Sequence, residues 1–179
     1  MTQMKPKLAT VWLDGCSGCH MSLLDIDERI IDLVNAVDIV HSPVVDPKTF
    51  PDDVLATLVE GAVSSEHDYE LAHLIRRRSK LVIALGDCAV TGNVPAMRNP
   101  FKIDQLLQRA YVENATANQG VPTVGIPPLR KTARPLHEII KVDLFIPGCP
   151  PPADAIHHIL TELLAGRTPD TGTVTRFGL

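Results

Sequence analysis

The stretch that decides the fold is Lys7-Leu8-Ala9-Thr10-Val11-Trp12-Leu13-Asp14-Gly15-Cys16-Ser17-Gly18-Cys19-His20. Its first half is an apolar, β-rich run that predicts a buried strand, and its second half is a loop carrying two cysteines. The chain's other two cysteines follow similar runs, Cys88 after 81–85 and Cys149 after 142–146. Because parallel strands of one sheet end at the same edge, we expect all four thiols to meet there. Four thiols at one point predict a metal or cluster site.

The order of apolar runs predicts the architecture. We predict strands at 7–13, 37–45, 54–63, 80–85 and 142–146, and helices at 22–34, 68–78, 103–114 and 153–165. The run 54–63 also fits a helix, but Glu60-Gly61 interrupts it and favours a strand. Strands alternating with helices predict an α/β fold, a flavodoxin-like doubly wound parallel sheet, as a single domain over residues 1–179.

Length and charge restrict the partners. The 179 residues and 45% hydrophobic content suit one domain with a full core. A net charge of −4 without a long basic run argues against nucleic acid. No apolar stretch approaches the roughly 20 residues of a membrane helix, and the N-terminus shows no secretion signal. We therefore expect a cytoplasmic protein, with no membrane insertion, that binds protein or small-molecule partners.

The spacing of the thiols favours one chemistry over three others. In a reducing compartment, cysteines are more often ligands or redox groups than disulfides. Structural zinc sites usually use two local pairs, whereas Cys16 and Cys19 form one close pair and the other two cysteines are remote. An iron-sulfur cluster is bulkier than an ion and accepts thiolates from several loops. A cluster is therefore favoured, and zinc, a thioredoxin-like Cys16/Cys19 pair and a disulfide stay open as alternatives.

Four motifs together carry a family resemblance. They are Trp12-Leu13-Asp14-Gly15-Cys16-Ser17-Gly18-Cys19-His20-Met21-Ser22-Leu23-Leu24-Asp25, Val59-Glu60-Gly61-Ala62-Val63, Ala84-Leu85-Gly86-Asp87-Cys88-Ala89 and Pro147-Gly148-Cys149-Pro150-Pro151. Over nearly its whole length the chain resembles the small subunit of [NiFe] hydrogenases, most of all the short form in cytoplasmic, bidirectional NAD-reducing enzymes. The resemblance implies that Cys16, Cys19, Cys88 and Cys149 are the metal ligands of one [4Fe-4S] cluster.

The same resemblance implies a division of labour between subunits. This chain would be an electron-transfer subunit of an oxidoreductase that catalyses H2 + NAD+ = NADH + H+. The NiFe centre would lie in a large subunit, and further Fe-S clusters and FMN in iron-sulfur and flavin diaphorase subunits. We expect no FMN in this chain, because cysteines occupy the loop where a flavodoxin-like fold binds phosphate. The alternative is a complex I-like (NADH:quinone oxidoreductase) cluster subunit, or the small subunit of a hydrogenase with another acceptor.

Three further residues carry expectations. Glu60, at the end of a buried strand, is a candidate proton relay or a carboxylate that supports the site, with capping of the next helix as the alternative. His20 could bond a cluster sulfur, but a solvated or interfacial position is expected. Trp12 is expected in the core.

Overall fold

A five-stranded parallel sheet forms the centre of the protein in the computed structural model, which describes residues 5–175. Its strands are Lys7–Trp12 (β1), Asp38–His41 (β2), Val54–Glu60 (β3), Ser79–Leu85 (β5) and Leu144–Ile146 (β7). They lie side by side in the order β2-β1-β3-β5-β7, and each neighbouring pair is parallel. Counted within this sheet alone, the order is the flavodoxin-like 2-1-3-4-5. The predicted fold is confirmed.

Helices cover both faces of the sheet, and a small ribbon lies outside it. Within residues 5–175 the α-helices are Gly18–Leu24 (α1), Arg29–Ala36 (α2), Glu66–Arg78 (α3), Asp87–Thr91 (α4), Asn93–Ala96 (α5), Ile103–Gln108 (α6) and Ala153–Leu164 (α7). A π-helical turn, Arg109–Glu113, continues α6. The ribbon pairs Val63–Ser65 (β4) with Leu129–Arg134 (β6) in antiparallel fashion. None of these helices is both long and apolar enough to span a bilayer.

Strand β5 shows how the sequence builds two cores. Its side chains alternate, so that Val82 and Ala84 pack with α3 and α4 on one face, while Ile83 and Leu85 pack with α1, α2 and α7 on the other. All four are fully buried. Burial on both faces explains why β3 and β5 appear in the sequence as continuous apolar runs rather than alternating ones.

Two parts of the chain differ from the sequence-based prediction. The helix predicted at 22–34 is two helices, because Asp27 adopts a left-handed φ of 54° between α1 and α2, a conformation that Asp tolerates better than most residues. The break turns Ile26 fully into the core. The region 88–137, predicted to hold one helix between loops, also contains α4, α5 and β6.

A close backbone approach at Gly61 joins the ends of β1 and β3. Leu13 N–H donates to Glu60 O at 2.8 Å, and Ala62 N–H donates to Asp14 O at 2.8 Å. Gly61 lies between these bonds with φ +94°, and a Cβ there would stand 2.8 Å from Asp14 O. The glycine therefore lets the end of β3 lie against the first cysteine loop.

We predict that Gly61→Ala destabilises the fold by more than backbone strain alone. The matched control is Gly125→Ala, because Gly125 also has a positive φ, of 74°, but a Cβ there meets nothing within 4 Å. The control should lose about 1 kcal/mol, and Gly61→Ala should lose clearly more, measured as the midpoint of urea unfolding. Equal losses would contradict the steric argument.

Candidate metal centre

The four cysteines lie on three loops at the carboxyl edge of the sheet. Cys16 and Cys19 follow β1, Cys88 lies in the first turn of α4 just after β5, and Cys149 follows β7 and precedes a cis Cys149–Pro150 bond. None of the four forms a disulfide, which removes the disulfide alternative for this structure. Cys19 is buried, Cys88 is half-buried, and Cys16 and Cys149 are exposed. The set therefore extends from the core to the surface.

The thiols oppose one another's ionisation. Burial raises the pKa of the Cys19 thiol, and the Glu60 carboxylate and the other three cysteines raise it further. Burial also raises the pKa of Cys88, followed by the charges of Cys149 and Cys16, while the backbone N–H of Val94 lowers it. Thiolates at this edge repel one another, so a bound cation such as iron is what would stabilise them.

Glycines leave room for the sulfurs. Gly86 follows β5 with φ +81°, and a Cβ there would stand 2.2 Å from Cys19 Sγ. A Cβ at Gly18 would stand 3.2 Å from Cys16 Sγ, and Gly18 N–H donates to that sulfur at 3.4 Å. The second loop can therefore lie directly against a thiol of the first only because residue 86 has no side chain.

Hydrogen bonds fasten the three loops to one another. Asp87 N–H donates to Gly148 O at 2.9 Å, and Gly148 N–H donates to Asp87 Oδ1 at 2.7 Å. Ser22 Oγ donates to Pro151 O at 2.5 Å, which ties α1 to the third loop. The spacing of the cysteines is thus set by bonds that do not involve the sulfurs.

The donor set fits a cluster bridging several loops. Among residues 5–175, no three His, Cys, Asp or Glu side chains are arranged to hold a single metal ion. The four thiols come instead from three separate loops, and an iron-sulfur cluster accepts thiolates from such a set. We therefore retain the cluster as the group these residues fit, and zinc as the alternative to be tested.

Glu60 and His20 form a buried pair beneath this edge. They are 1% and 5% exposed, and the Glu60 carboxylate accepts hydrogen bonds from the His20 ring Nδ1 and, at 3.0 Å, from the His20 backbone N–H. His20 Nε2 contacts Thr10 Oγ1 at 3.0 Å, and Thr10 Oγ1 donates to Ser42 Oγ at 2.7 Å. Glu60, His20, Thr10 and Ser42 form one buried chain, which we call the Glu60–Ser42 chain.

Three expectations about this area are wrong. His20 is not solvated, because its ring is enclosed between Glu60 and Thr10. Glu60 does not cap the next helix, since Ser65 and Asp68 form the capping box of α3; it accepts instead from the first turn of α1. Trp12 is not a core residue, because 48% of its surface is exposed.

Comparison with known proteins identifies the family. Residues 16–163 match the family described as NADH ubiquinone oxidoreductase, 20 Kd subunit. The chain belongs to this family.

Its relatives include hydrogenase subunits. It is 44% identical over 168 residues to the delta subunit of the NAD-reducing hydrogenase HoxS of Cupriavidus necator, covering 91% of this chain and 80% of the relative. It is 41% identical over 175 residues to a subunit of the F420-non-reducing hydrogenase vhu of Methanocaldococcus jannaschii, covering 97% of this chain but 61% of the relative. The chain thus spans less than two thirds of that relative's length.

A solved structure agrees with the fold. A chain in the crystal structure of NAD+-reducing [NiFe]-hydrogenase in the H2-reduced state has a TM-score of 0.91 and 37% identity to this chain, covering 97% of this chain and 99% of that one. The resemblance inferred from the motifs is confirmed.

The sequence analysis missed three residues whose hydrogen bonds support the cysteine loops at the carboxyl edge of the sheet. Ser22 and Asp87 connect the loops, as described above. Asn93 Nδ2 donates to Cys149 Sγ at 3.5 Å. An acidic residue directly before Cys88 and a Gly-Asn pair shortly after it were the available signals, but neither shows which loop it would contact.

We predict that Asp87→Ala lowers cluster content, because it removes the acceptor that holds the Gly148 N–H and with it the Cys149 loop. Asp87→Asn, whose amide oxygen can still accept that bond, should retain more iron. The measurement is iron per chain after anaerobic purification. Wild-type iron content in Asp87→Ala would show that the loops hold their spacing without this bond.

Proposed function

We propose that this chain is the electron-transfer small subunit of an NAD-reducing [NiFe] hydrogenase, which catalyses H2 + NAD+ = NADH + H+. The observation that carries the proposal is the convergence of four free thiols from three loops fastened to one another at one sheet edge. The functions of the Cupriavidus relative and of the superposable structure support this proposal.

In this role the cysteines would hold one [4Fe-4S] cluster, with Cys16 and Cys19 from the first loop and Cys88 and Cys149 from the other two. When bound, such a cluster accepts and releases single electrons. The chain's own residues position it: Gly86 makes room for Cys19, the Asp87–Gly148 pair sets the spacing of two loops, and the N–H of Gly18 donates to Cys16 Sγ.

The H2-splitting centre belongs to a partner. Within the sequence all four cysteines are assigned to the cluster, so the thiolates of a NiFe centre must come from a large subunit. Exposed apolar side chains lie on the elements that carry or flank Cys16, Cys19 and Cys88, namely Trp12, Met21, Val94 and Met97. Exposed apolar side chains of this kind are typical of an interaction surface, and the large subunit would bind there.

The finer assignments follow from the same proposal. Further Fe-S clusters and FMN would lie in iron-sulfur and flavin diaphorase subunits, and electrons would leave this chain through one of them. Residues 1–179 would form one cluster-binding domain. The cytoplasmic location stays a prediction from the sequence.

A complex I-like role is the second candidate, because the matching family model is described by the 20 Kd subunit of NADH ubiquinone oxidoreductase. Residues 16–19 read Cys-Ser-Gly-Cys, so two residues separate the first two cysteines. This spacing resembles that of hydrogenase small subunits and favours the hydrogenase role, since the related complex I subunit typically has two adjacent cysteines at this motif. The two candidates differ in the metal content of the partner.

Anaerobic purification of the chain with its natural partners tests the proposal. We expect iron and acid-labile sulfide in this chain, a co-purifying large subunit that contains nickel, and hydrogen-dependent NAD reduction. Cys88→Ser should lower the iron and sulfide of this chain and abolish NAD reduction. Zinc in place of iron would reject a cluster, and a nickel-free partner that supports quinone reduction would select the complex I-like role.

A separate prediction concerns Glu60. Glu60→Gln preserves the size of the side chain and an acceptor for the His20 N–H but removes the exchangeable carboxylate proton. If the Glu60–Ser42 chain relays protons, turnover should fall by about 100-fold, the lower end of what positioned proton-transfer groups contribute, with iron content and subunit composition unchanged. Glu70→Gln, an exposed glutamate on α3, is the control. Undiminished turnover would leave Glu60 only its capping role at α1.

A further inference from the structure

The turn Gly92-Asn93-Val94 contacts thiols of two different loops. The Asn93 side-chain amide donates to Cys149 Sγ at 3.5 Å. The backbone N–H of the next residue, Val94, lowers the pKa of Cys88. One short turn therefore acts on cysteines that are 61 residues apart in the sequence.

Local structure holds the Asn93 amide in place. Gly92 has a φ of +87° and its N–H donates to Cys88 O at 3.0 Å, which ends α4. Asn93 itself has a positive φ of 30°, and its N–H donates to Thr91 Oγ1 at 3.3 Å. Thr91 Oγ1 in turn donates to Asp87 O at 2.8 Å. The turn is thus anchored to the helix that carries Cys88, and the side chain extends from it to the third loop.

From these contacts we infer that Asn93 sets the reduction potential of the cluster that the proposed function places on these cysteines. An N–H donor to a ligand sulfur stabilises the more negative, reduced state and raises the potential. The amide carries no net charge, so it exerts this effect without forming an ion pair. Within residues 5–175, the other groups described at these sulfurs, the N–H of Gly18 and the N–H of Val94, belong to the backbone. Among these groups, Asn93 is therefore the one that a side-chain substitution removes.

Two substitutions distinguish the effect of the Asn93 side-chain amide from the effect of the backbone conformation at residue 93. Asn93→Gly removes the amide, and glycine adopts the positive φ without strain. Asn93→Asp retains the length of the side chain but turns a carboxylate toward Cys149, which disfavours added negative charge. The potential should fall in the order wild type, Asn93→Gly, Asn93→Asp. The matched control is Asn35→Ala, since Asn35 is exposed on α2 and far from the cysteines in the fold.

The experiment is a redox titration of the cluster, followed by its EPR signal, in the complex purified with its partner subunits. Iron per chain is measured in parallel. The expected result is full iron content in all variants, a lower midpoint in Asn93→Gly, a still lower one in Asn93→Asp, and no change in Asn35→Ala.

Other results would overturn the inference in distinguishable ways. A wild-type midpoint in both Asn93 variants with full iron would show that the amide does not tune the cluster. Loss of iron from Asn93→Gly would make Asn93 a structural residue instead. A wild-type chain without iron would reject the proposed function itself.

Discussion

The level at which the parallel strands end determines the rest of the structure. Trp12 pairs with Glu60, Glu60 with Leu85, and Leu85 with Ile146, so four strands share one register row at the carboxyl edge. Each cysteine loop begins just beyond this row. The shared row therefore brings the loops around Cys16 and Cys149 to the same edge of the sheet without a ligand. These two loops are more than 100 residues apart in the sequence. The Asp87–Gly148 and Ser22–Pro151 bonds then only adjust the spacing.

The same row contains a group that is costly to bury in a sheet. Glu60 is a carboxylate at 1% exposure, beneath thiols whose ionisation it opposes. Burying a carboxylate is costly unless it is paired and hydrogen-bonded, and His20 supplies both the ring contact and a backbone N–H. A leucine at this position could pack against the neighbouring apolar side chains without the cost of burying a charge. That a carboxylate stands there instead is consistent with a role in the site, because proteins depart from local packing rules mainly where function requires it.

The features that could be predicted from the sequence are those that depend only on the apolar pattern of a single strand. The apolar runs ending at Leu13, Leu85 and Ile146 predicted the sheet and the cysteine edge, because burial on both faces leaves a continuous hydrophobic signal. The break at Asp27 could not be predicted, because Ile26 and the apolar residues on either side of it keep helical spacing through the break. The β4–β6 ribbon joins segments 63–65 and 129–134, and nothing local in either segment encodes its partner. The burial of His20 depends on which side of α1 faces Glu60.

The site separates two kinds of polar group. The polar groups at the cysteine sulfurs are neutral: the N–H of Gly18 and the amide of Asn93 donate to sulfurs, and the N–H of Val94 lowers the pKa of Cys88. The titratable groups, Glu60 and His20, bond to each other and then to Thr10 and Ser42, not to a sulfur. A proton that moved along the Glu60–Ser42 chain would therefore leave the hydrogen bonds at the sulfurs unchanged, although its charge would still act on Cys19 through space. Neutral donors can thus set the potential of a cluster directly, while the buried chain influences it only at a distance. On this arrangement, substitution at Asn93 and substitution at Glu60 should affect electron transfer and proton transfer separately.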